Sequence, residues 1–398
     1  MNKPMNKIEK LIAELCPEGV EFKELREICV SINAGGDLPE NYLKGQQVPS
    51  REFPYPIYSN GSAENALYGY TDSYKVGCEA VTISARGTIG YHAVRAEKFT
   101  PIVRLITLIL RIEIVTSKYL NYALDITEIG HSGGSIPQLT VPNVKKIKIP
   151  IPPLVIQQEI VKILDTFTTL EAELEAELEA RKKQYEYYRE EFLTFDERGG
   201  AQWVKLMDIA SYSKNRIPAD KLNIEPYVGV DNLLQNKQGK TVSTCVPTTG
   251  TLTEYKIGDV LIGNIRPYLK KIWQATNIGG TNGDVLVVRV NEKEKKNVNS
   301  RFLYHLLASD NFFNYNMQFA KGAKMPRGDK SAIMKFKIPI PPLAEQERIV
   351  AILDKFDALV NDISAGLPAE LNARRKQYEY YRNKLLTFNP LEKEYAKQ

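Results

Sequence analysis

The sequence is poor in the residues that build redox and metal centres. Its 398 residues include only four cysteines and three histidines. They are scattered, without a Cys-x-x-Cys pair: Cys16, Cys29, Cys78, Cys245, His92, His131 and His305. We therefore expect free thiols rather than disulfides, and no metal site.

Long apolar runs are missing as well. The segment 102–114 is shorter than the roughly 18 residues that a membrane-spanning helix needs, and it carries Arg104 and Arg111. The N-terminus has acidic residues inside its apolar segment, unlike a signal peptide. These features predict a soluble, cytoplasmic protein without a membrane partner.

Catalytic motifs are absent from the sequence too. It contains no phosphate-binding loop, no His-Glu-x-x-His, no Gly-x-Ser-x-Gly and no dinucleotide-binding glycine motif. The Asn-Pro-Pro-aromatic motif of amino-methyltransferases is also missing. The sequence therefore favours binding over catalysis, and we expect neither a catalytic residue nor a cofactor on this chain.

What the sequence does contain is a long internal repeat. The segment IKIPIPPLVIQQEIVKILDTF at 147–167 returns at 336–356 as FKIPIPPLAEQERIVAILDKF. The segment ARKKQYEYYREEFLTF at 180–195 returns at 373–388 as ARRKQYEYYRNKLLTF. The chain is therefore a tandem duplication, in which each half ends in the same element.

The repeated segments predict two long helices. Each Pro-Pro pair ends an extended segment, because proline lacks an amide hydrogen and pushes its predecessor towards extended geometry. Apolar residues then recur at helical spacing from Gln157 to Phe195, and again from Ile349 to Leu385. A helix of roughly 58 Å, at 1.5 Å per residue, needs a partner along its length. We expect an antiparallel coiled-coil spacer; ordinary amphipathic helices in a larger core are the alternative.

Both globular halves show short strands, frequent turns and a few helices, so the predicted fold class is α+β. Their starts match faintly, VEFKELREIC at 20–29 against AQWVKLMDIA at 201–210. Beyond that they share an order of elements but little identity. Duplicates that keep their helices and diverge elsewhere suggest one task performed on two different targets.

Basic residues cluster in the loops, although the net charge of +5 is weak evidence by itself. The clusters at 321–337 and 266–271 suit phosphate contacts and readout of guanine edges by arginine. Each one alone could equally be a solvated loop. The candidate DNA-binding residues, chosen for charge and loop position, are Arg86, Lys214, Arg216, Arg266, Tyr268, Lys270, Lys271, Lys321, Lys324 and Arg327.

With these features the sequence resembles the specificity subunits of type I restriction–modification systems. The resemblance rests on the duplicated IPIPPL and KQYEYYR segments, the LEAE repeat at 170–180, and YPIYSNG, ISARGTIGY and GGSIPQL in the first half. It covers essentially the whole chain. One departure is AKGAKMPRGDK at 320–330, which replaces the GGSIPQL pattern in the second half.

The resemblance implies two target-recognition domains, each reading one half of a bipartite, asymmetric site in double-stranded DNA. The implied division is a first recognition domain at 1–150, a central helical spacer at 151–197, a second recognition domain at 198–339, a C-terminal helical spacer at 340–390 and a tail at 391–398. The chain would be the non-catalytic specificity subunit of an adenine methyltransferase and endonuclease complex.

The resemblance also implies partners. The paired helices would set the spacing between half-sites and dock two methyltransferase (modification) subunits, which carry S-adenosylmethionine. Restriction subunits, which are translocase–nucleases that use ATP and magnesium, would join for cleavage. The spacer and partner-docking residues would be Leu170, Leu174, Leu178, Tyr185, Tyr188, Tyr378 and Tyr381. One four-residue LEAE unit adds about 6 Å, or one to two base-pair steps of about 3.4 Å.

Two other functions stay open from the residues alone. One is a coiled-coil adaptor without nucleic-acid contacts. The other is a self-contained DNA-modifying enzyme with an unrecognised site.

Overall fold

The repeated sequence segments form the same elements twice. The structure is a computed structural model, and it describes residues 7–129, 138–195, 200–362 and 364–391. Contacts divide the chain into two units. Unit 1 consists of Met1–Ala172 and Ala373–Gln398, and unit 2 consists of Glu173–Asn372.

Unit 1 contains ten strands and four short helices among the described residues. The strands are β1 (Phe22–Glu24), β2 (Cys29–Ala34), β3 (Tyr42–Lys44), β4 (Tyr55–Tyr58), β5 (Leu67–Thr71), β6 (Ala80–Ser84), β7 (His92–Arg95), β8 (Thr100–Pro101), β9 (Leu105–Leu110) and β10 (Lys148–Pro150). The helices are α1 (Lys7–Leu15), α2 (Leu25–Ile28), α3 (Ser117–Asp125) and α4 (Val141–Lys145), followed by the long helix α5 (Leu154–Leu193).

Unit 2 repeats this order. Its strands are β11 (Gln202–Lys205), β12 (Ala210–Tyr212), β13 (Arg216–Pro218), β14 (Tyr227–Val228), β15 (Thr251–Tyr255), β16 (Val260–Gly263), β17 (Ile272–Gln274), β18 (Gly279–Thr281), β19 (Val285–Val290) and β20 (Lys337–Ile340). The helices that follow α5 are α6 (Leu206–Ile209), α7 (Ser300–Leu307), α8 (Asp310–Gln318), α9 (Lys330–Met334), α10 (Leu343–Asn361) and α11 (Leu367–Leu386), and most of α11 belongs to unit 1.

The duplication is visible in the sheets. The four-stranded sheet β2-β9-β6-β7 of unit 1 has the same order as β12-β19-β16-β17 of unit 2, and the pair β1-β10 corresponds to β11-β20. The second sheet differs, because its order is β3-β5-β4-β8 in unit 1 and β13-β15-β18-β14 in unit 2. The two units thus share one framework sheet and differ in the other.

The strands β8 and β18, which take different positions in the second sheet, differ in their proline and glycine content. Strand β8 lies at the edge of its sheet and contains Pro101, which lacks an amide hydrogen. Its counterpart β18 contains Gly279, where a Cβ atom would lie 2.0 Å from the Pro226 carbonyl oxygen. Glycine therefore lets β18 approach a neighbour closely enough to occupy an inner position.

The long predicted helix is confirmed as α5, whose 40 residues begin three residues before the expected start and end two residues early. Its N-terminus follows directly on Pro152 and Pro153, as the second copy follows Pro341 and Pro342. The second predicted helix is wrong as a single element, because α10 ends at Asn361 and α11 starts at Leu367. A Cβ atom at Gly366 would lie 2.4 Å from the Ala358 carbonyl oxygen, so the turn between them requires glycine.

Helix pairs pack antiparallel within each unit. In unit 1 the Phe167 ring of α5 lies 5.4 Å from the Tyr381 ring of α11, and Glu171 pairs with Arg375. In unit 2 the Phe356 ring of α10 lies 5.6 Å from the Tyr188 ring of α5. The aromatic residues are at matching repeat positions, so the same ring contact joins the two helices in each unit.

A buried glutamine fixes the start of α5. The Gln157 side chain accepts a hydrogen bond from the Thr116 amide at the N-terminus of α3 (3.1 Å). It donates to the carbonyls of Ile114 (2.9 Å) and Pro152 (2.8 Å). Three backbone groups that would otherwise be buried without partners are therefore satisfied by one side chain.

Gln346 makes the same three bonds in unit 2. It accepts from the Asn299 amide at 2.9 Å and donates to the carbonyls of Asn297 and Pro341, both at 2.8 Å. The single glutamine shared by the two IPIPPL segments therefore joins each long helix to the short helix beside it.

Replacing Gln157 by leucine is expected to lower the free energy of unfolding by about 3 kcal/mol, because it leaves buried backbone groups without partners. Gln158→Leu is the matched control, since Gln158 is exposed on the same turn. Urea denaturation measures the difference, and faster amide hydrogen exchange in α3 would locate it. Equal stability of the two variants would contradict the role given to Gln157.

Candidate nucleic-acid interface

The two basic loops of unit 2 lie side by side. One, at 264–271, joins β16 to β17, and the other, at 319–329, joins α8 to α9. The Arg266 amide donates to the Pro326 carbonyl at 2.7 Å. Arg327 pairs with Ile265 in an isolated antiparallel bridge. Two clusters from distant parts of the sequence thus form one surface.

A corresponding backbone link is present in unit 1. The Leu139 amide donates to the Ala85 carbonyl (2.9 Å), and the Gly328 amide donates to the Asn264 carbonyl (3.1 Å). Leu139 and Gly328 stand at the same position relative to the IPIPPL segment of their own copy. Gln138 and Leu139, the last residues of GGSIPQL, therefore correspond to Arg327 and Gly328 of the unit 2 loop. Of GGSIPQL itself, only Gln138 and Leu139 lie within the described residues.

Arg86 occupies the turn of unit 1 that corresponds to the Arg266 turn of unit 2. It follows β6, as Arg266 follows β16, and its side chain is partly exposed. The Asn60 side-chain amide donates to the Arg86 carbonyl at 2.7 Å, and the Thr88 hydroxyl donates to the Asn60 carbonyl at 2.6 Å. These two hydrogen bonds fix the backbone of the turn from which the Arg86 side chain extends.

The Arg266 turn has an unusual backbone. Arg266 and Lys270 both adopt left-handed conformations with φ of 50°, on either side of the short turn Pro267–Leu269. Such conformations cost non-glycine residues roughly 1–2 kcal/mol. The amide of Lys237 donates to the Lys270 carbonyl at 2.9 Å, which helps to hold the turn. Within it Arg266 is exposed, and Tyr268 is 49% exposed.

Lys270 and Lys271 have internal partners. The Lys270 ammonium lies 2.9 Å from the Asp310 carboxylate, which also pairs with Lys237 at 3.1 Å. The Lys271 ammonium donates to the Val230 carbonyl at 2.7 Å. These lysines therefore anchor the turn, and their contact with DNA remains a prediction.

Charges are also paired within the second loop. Lys321 lies 2.8 Å from Asp329, and this hydrogen bond, together with backbone amides, lowers the pKa of Asp329 to about 2. Arg327 pairs with Asp284 at 3.1 Å, although its side chain stays exposed. Lys324 is exposed at the tip of the loop. Arg266, Tyr268, Lys321, Lys324 and Arg327 are thus the predicted residues of this surface that face solvent.

Lys214 and Arg216 belong to another part of unit 2. Arg216 lies on β13, the edge strand of the second sheet, and its guanidinium donates to the Thr253 hydroxyl at 3.0 Å. Lys214 is exposed just before this strand. Their strand is in a different sheet from β16 and β17, so they are candidates for a separate contact.

A cluster of aromatic and basic side chains at edge strand β3 of unit 1 was not among the residues predicted from the sequence. The Lys44 ammonium lies 5.3 Å from the centre of the Tyr68 ring, and the Tyr42 ring lies 6.1 Å from the same ring. Exposed aromatic and cationic side chains suit nucleic-acid contacts. The alternation of Tyr42 and Lys44 was the signal available in the sequence.

The spacer candidates differ in exposure. Leu178 and Tyr185 are buried in unit 2, so they serve its own packing. Leu170 is 39% and Tyr381 41% exposed, whereas the others are partly buried: Leu174, Tyr188 and Tyr378. Burial therefore separates residues that pack the helices from residues that a partner could reach.

The described residues also bear on metal and membrane binding. Among them, no group of three or more His, Cys, Asp or Glu side chains could hold a metal ion. Over those same parts of the chain, every helix is too short or too polar to cross a membrane.

A protein-family model matches the chain twice. The model is described as the type I restriction modification DNA specificity domain, and it matches residues 17–180 and 200–373. Each match covers one copy of the duplication, including its framework sheet and most of its repeated helical segment.

Curated relatives share the same description. The chain is 34% identical over 293 residues to the EcoR124I/EcoR124II type I restriction enzyme specificity subunit of Escherichia coli, covering 68% of this chain and 70% of that protein. It is 25% identical over 368 residues to a putative type I specificity subunit of Mycoplasma pneumoniae, covering 91% and 96%.

Solved structures share the fold. The type I restriction–modification S subunit from M. genitalium superposes with a TM-score of 0.57 at 15% identity, over 92% of this chain and 96% of that one. A structure from work on assembly and conformational transition of a type I system gives 0.58 at 15% identity, over 93% and 98%.

Replacing Arg266 by alanine is expected to weaken binding to the recognised duplex by about 10- to 100-fold and to relax selectivity at one base pair, if its guanidinium reads a base edge. Lys296→Ala is the control, because it removes an exposed cation of unit 2 outside both loops. Fluorescence anisotropy at fixed salt measures both variants. Equal small losses in the two variants would mean that Arg266 contributes only general charge.

Proposed function

The chain belongs to the family of type I restriction–modification DNA specificity proteins, and we propose that each of its two units reads one half of a bipartite, asymmetric DNA site. The supporting observation is the repeated turn that carries Arg86 in unit 1 and Arg266 in unit 2. Each turn follows the same strand of the same framework sheet and is bonded to the loop before the exit strand.

The differences between the units support readout of two different half-sites. The framework sheet is shared, whereas the second sheet is ordered differently in each unit. In unit 2 a loop with Lys324 and Arg327 lies beside the turn. DNA sequence is read through contacts with base edges, so loops of different composition would select different bases.

The proposed division of labour follows the sequence. Residues 1–150 and 198–339 form the recognition domains, and the helical segments at 151–197 and 340–390 set the spacing and dock two methyltransferase subunits. The methyltransferases would supply S-adenosylmethionine, and restriction subunits would supply ATP-dependent translocation and cleavage. This chain would be non-catalytic, without a cofactor of its own, and would act in the cytoplasm.

Docking of two copies of one partner is supported by the duplicated helical contacts. Phe167 with Tyr378 and Tyr381 in unit 1 repeats Phe356 with Tyr185 and Tyr188 in unit 2. Two equivalent local structures on one chain offer two equivalent surfaces, which suits a partner that binds twice.

Sequencing of methylated adenines tests the proposed function. The chain is co-expressed with its methyltransferase subunit in a host that lacks adenine methylation, and the same host with the methyltransferase alone is the control. We expect a split, asymmetric motif that disappears when this chain is omitted. A continuous motif, or methylation that does not need this chain, would contradict the proposal.

DNA affinity separates the proposal from the adaptor alternative. Binding through phosphate contacts falls steeply as salt is raised. We expect such salt dependence for the assembled complex. Methylation by the isolated chain would instead support a self-contained enzyme.

A further inference from the structure

The first repeated helical segment shows how exposure relates to divergence between the two copies. Within 154–167 and 343–356, three pairs of positions are buried in both copies, and all three are identical: Gln157 and Gln346, Ile160 and Ile349, Leu164 and Leu353. Four pairs are exposed in both copies, and all four differ: Val155 and Ala344, Gln158 and Glu347, Lys162 and Ala351, Thr166 and Lys355. Packing has kept the buried residues, while the exposed ones have changed freely.

The second repeated segment behaves differently. Within 180–195 and 373–388, seven pairs are exposed in both copies. Five are identical: Ala180 and Ala373, Lys183 and Lys376, Glu186 and Glu379, Tyr187 and Tyr380, Thr194 and Thr387. The large tyrosines are 64% and 62% exposed, more than most aromatic side chains of the chain. Packing inside the units does not account for this identity.

Three of these identical residues share one helix face. We define the unit 2 patch as Lys183, Glu186 and Tyr187, and the unit 1 patch as Lys376, Glu379 and Tyr380. Positions three and four residues apart on a helix are neighbours on its surface. Each patch therefore presents an ammonium, a carboxylate and a phenol ring together.

Internal contacts of the patch residues are not shared by the two copies. The negative charge of Glu191, together with a hydrogen bond that the Tyr187 hydroxyl donates to its carboxylate, raises the pKa of that phenol. The position that corresponds to Glu191 is Lys384, which instead pairs with Glu9 at 3.3 Å. Likewise, Glu186 lies 3.5 Å from Lys237, an ion pair of unit 2. These contacts among the described residues therefore do not account for the identity of the two patches.

We infer that the unit 1 patch and the unit 2 patch are twin contact sites for two copies of one protein. The same three side chains, kept at exposed positions, would meet the same surface twice. A protein suits the patches better than DNA, because the exposed carboxylates of Glu186 and Glu379 would repel phosphates. The partner would offer an apolar pocket for the ring, a cation for the glutamate and a carboxylate for the lysine.

The occupant is the methyltransferase subunit, so this inference rests on the docking role in the proposed function. An exposed tyrosine at the centre of a polar group is the kind of side chain that dominates the energetics of an interface. Each tyrosine is therefore expected to be the main anchor of its patch.

Native mass spectrometry of the full chain, co-purified with its methyltransferase subunit, tests the assignment. We expect the wild-type chain to carry two copies, Tyr187→Ala or Tyr380→Ala to carry one, and the double variant to carry none. Affinity at an altered site is expected to fall roughly 30-fold or more. Gln158→Ala and Lys355→Ala, at exposed positions where the copies differ, are matched controls and should retain both copies.

Further variants separate surface effects from folding. Tyr187→Phe and Tyr380→Phe should retain binding if the ring is the anchor, and the charge reversal Glu379→Lys should weaken binding at the unit 1 patch without altering thermal unfolding. If the tyrosine double variant binds two copies with unchanged affinity, the assignment of the patches is wrong, but the docking role is not affected. A wild-type chain that binds no methyltransferase would overturn the docking role itself, and the patches with it.

Discussion

A buried glutamine at the start of each long helix is the constraint on which the structure depends. Gln157 and Gln346 each bond three backbone groups, and thereby fix α5 and α10 against α3 and α7. With those helices fixed, Phe167 is set to meet the tyrosines of α11 in unit 1, and Phe356 to meet those of α5 in unit 2. The prolines end the preceding strand, and the glutamine anchors the helix that begins after them.

Each unit is completed by the end of the other copy's helix. Unit 1 contains residues from 373 onwards, which include the second KQYEYYR segment, and unit 2 contains the first KQYEYYR segment within 173–372. The repeat is therefore more than two folds joined in succession, since neither copy alone supplies all the residues of one unit. Such an arrangement gives each unit the same helical surface, which is what two identical docking sites require.

The sequence was most informative where its pattern was long and periodic. It predicted α5 to within three residues, whereas the second long helix is interrupted next to Gly366 and Pro368. It chose Arg266 and Arg327 by charge and loop position, as members of two separate basic clusters. Their proximity depends on backbone bonds between loops that are far apart in the sequence, and the anchoring of Lys270 depends on Asp310. Such non-local pairings leave no periodic signal in the sequence.

The role of α5 as a spacer is tested most directly by removing one LEAE unit, residues 174–177, and sequencing the methylated adenines. Four residues shorten a helix by about 6 Å and rotate it by only about 40° beyond a full turn, so the apolar stripe is kept. The account predicts that the unread gap becomes one or two base pairs shorter and that both half-sites stay the same. An unaltered gap, or a changed half-site, would contradict it.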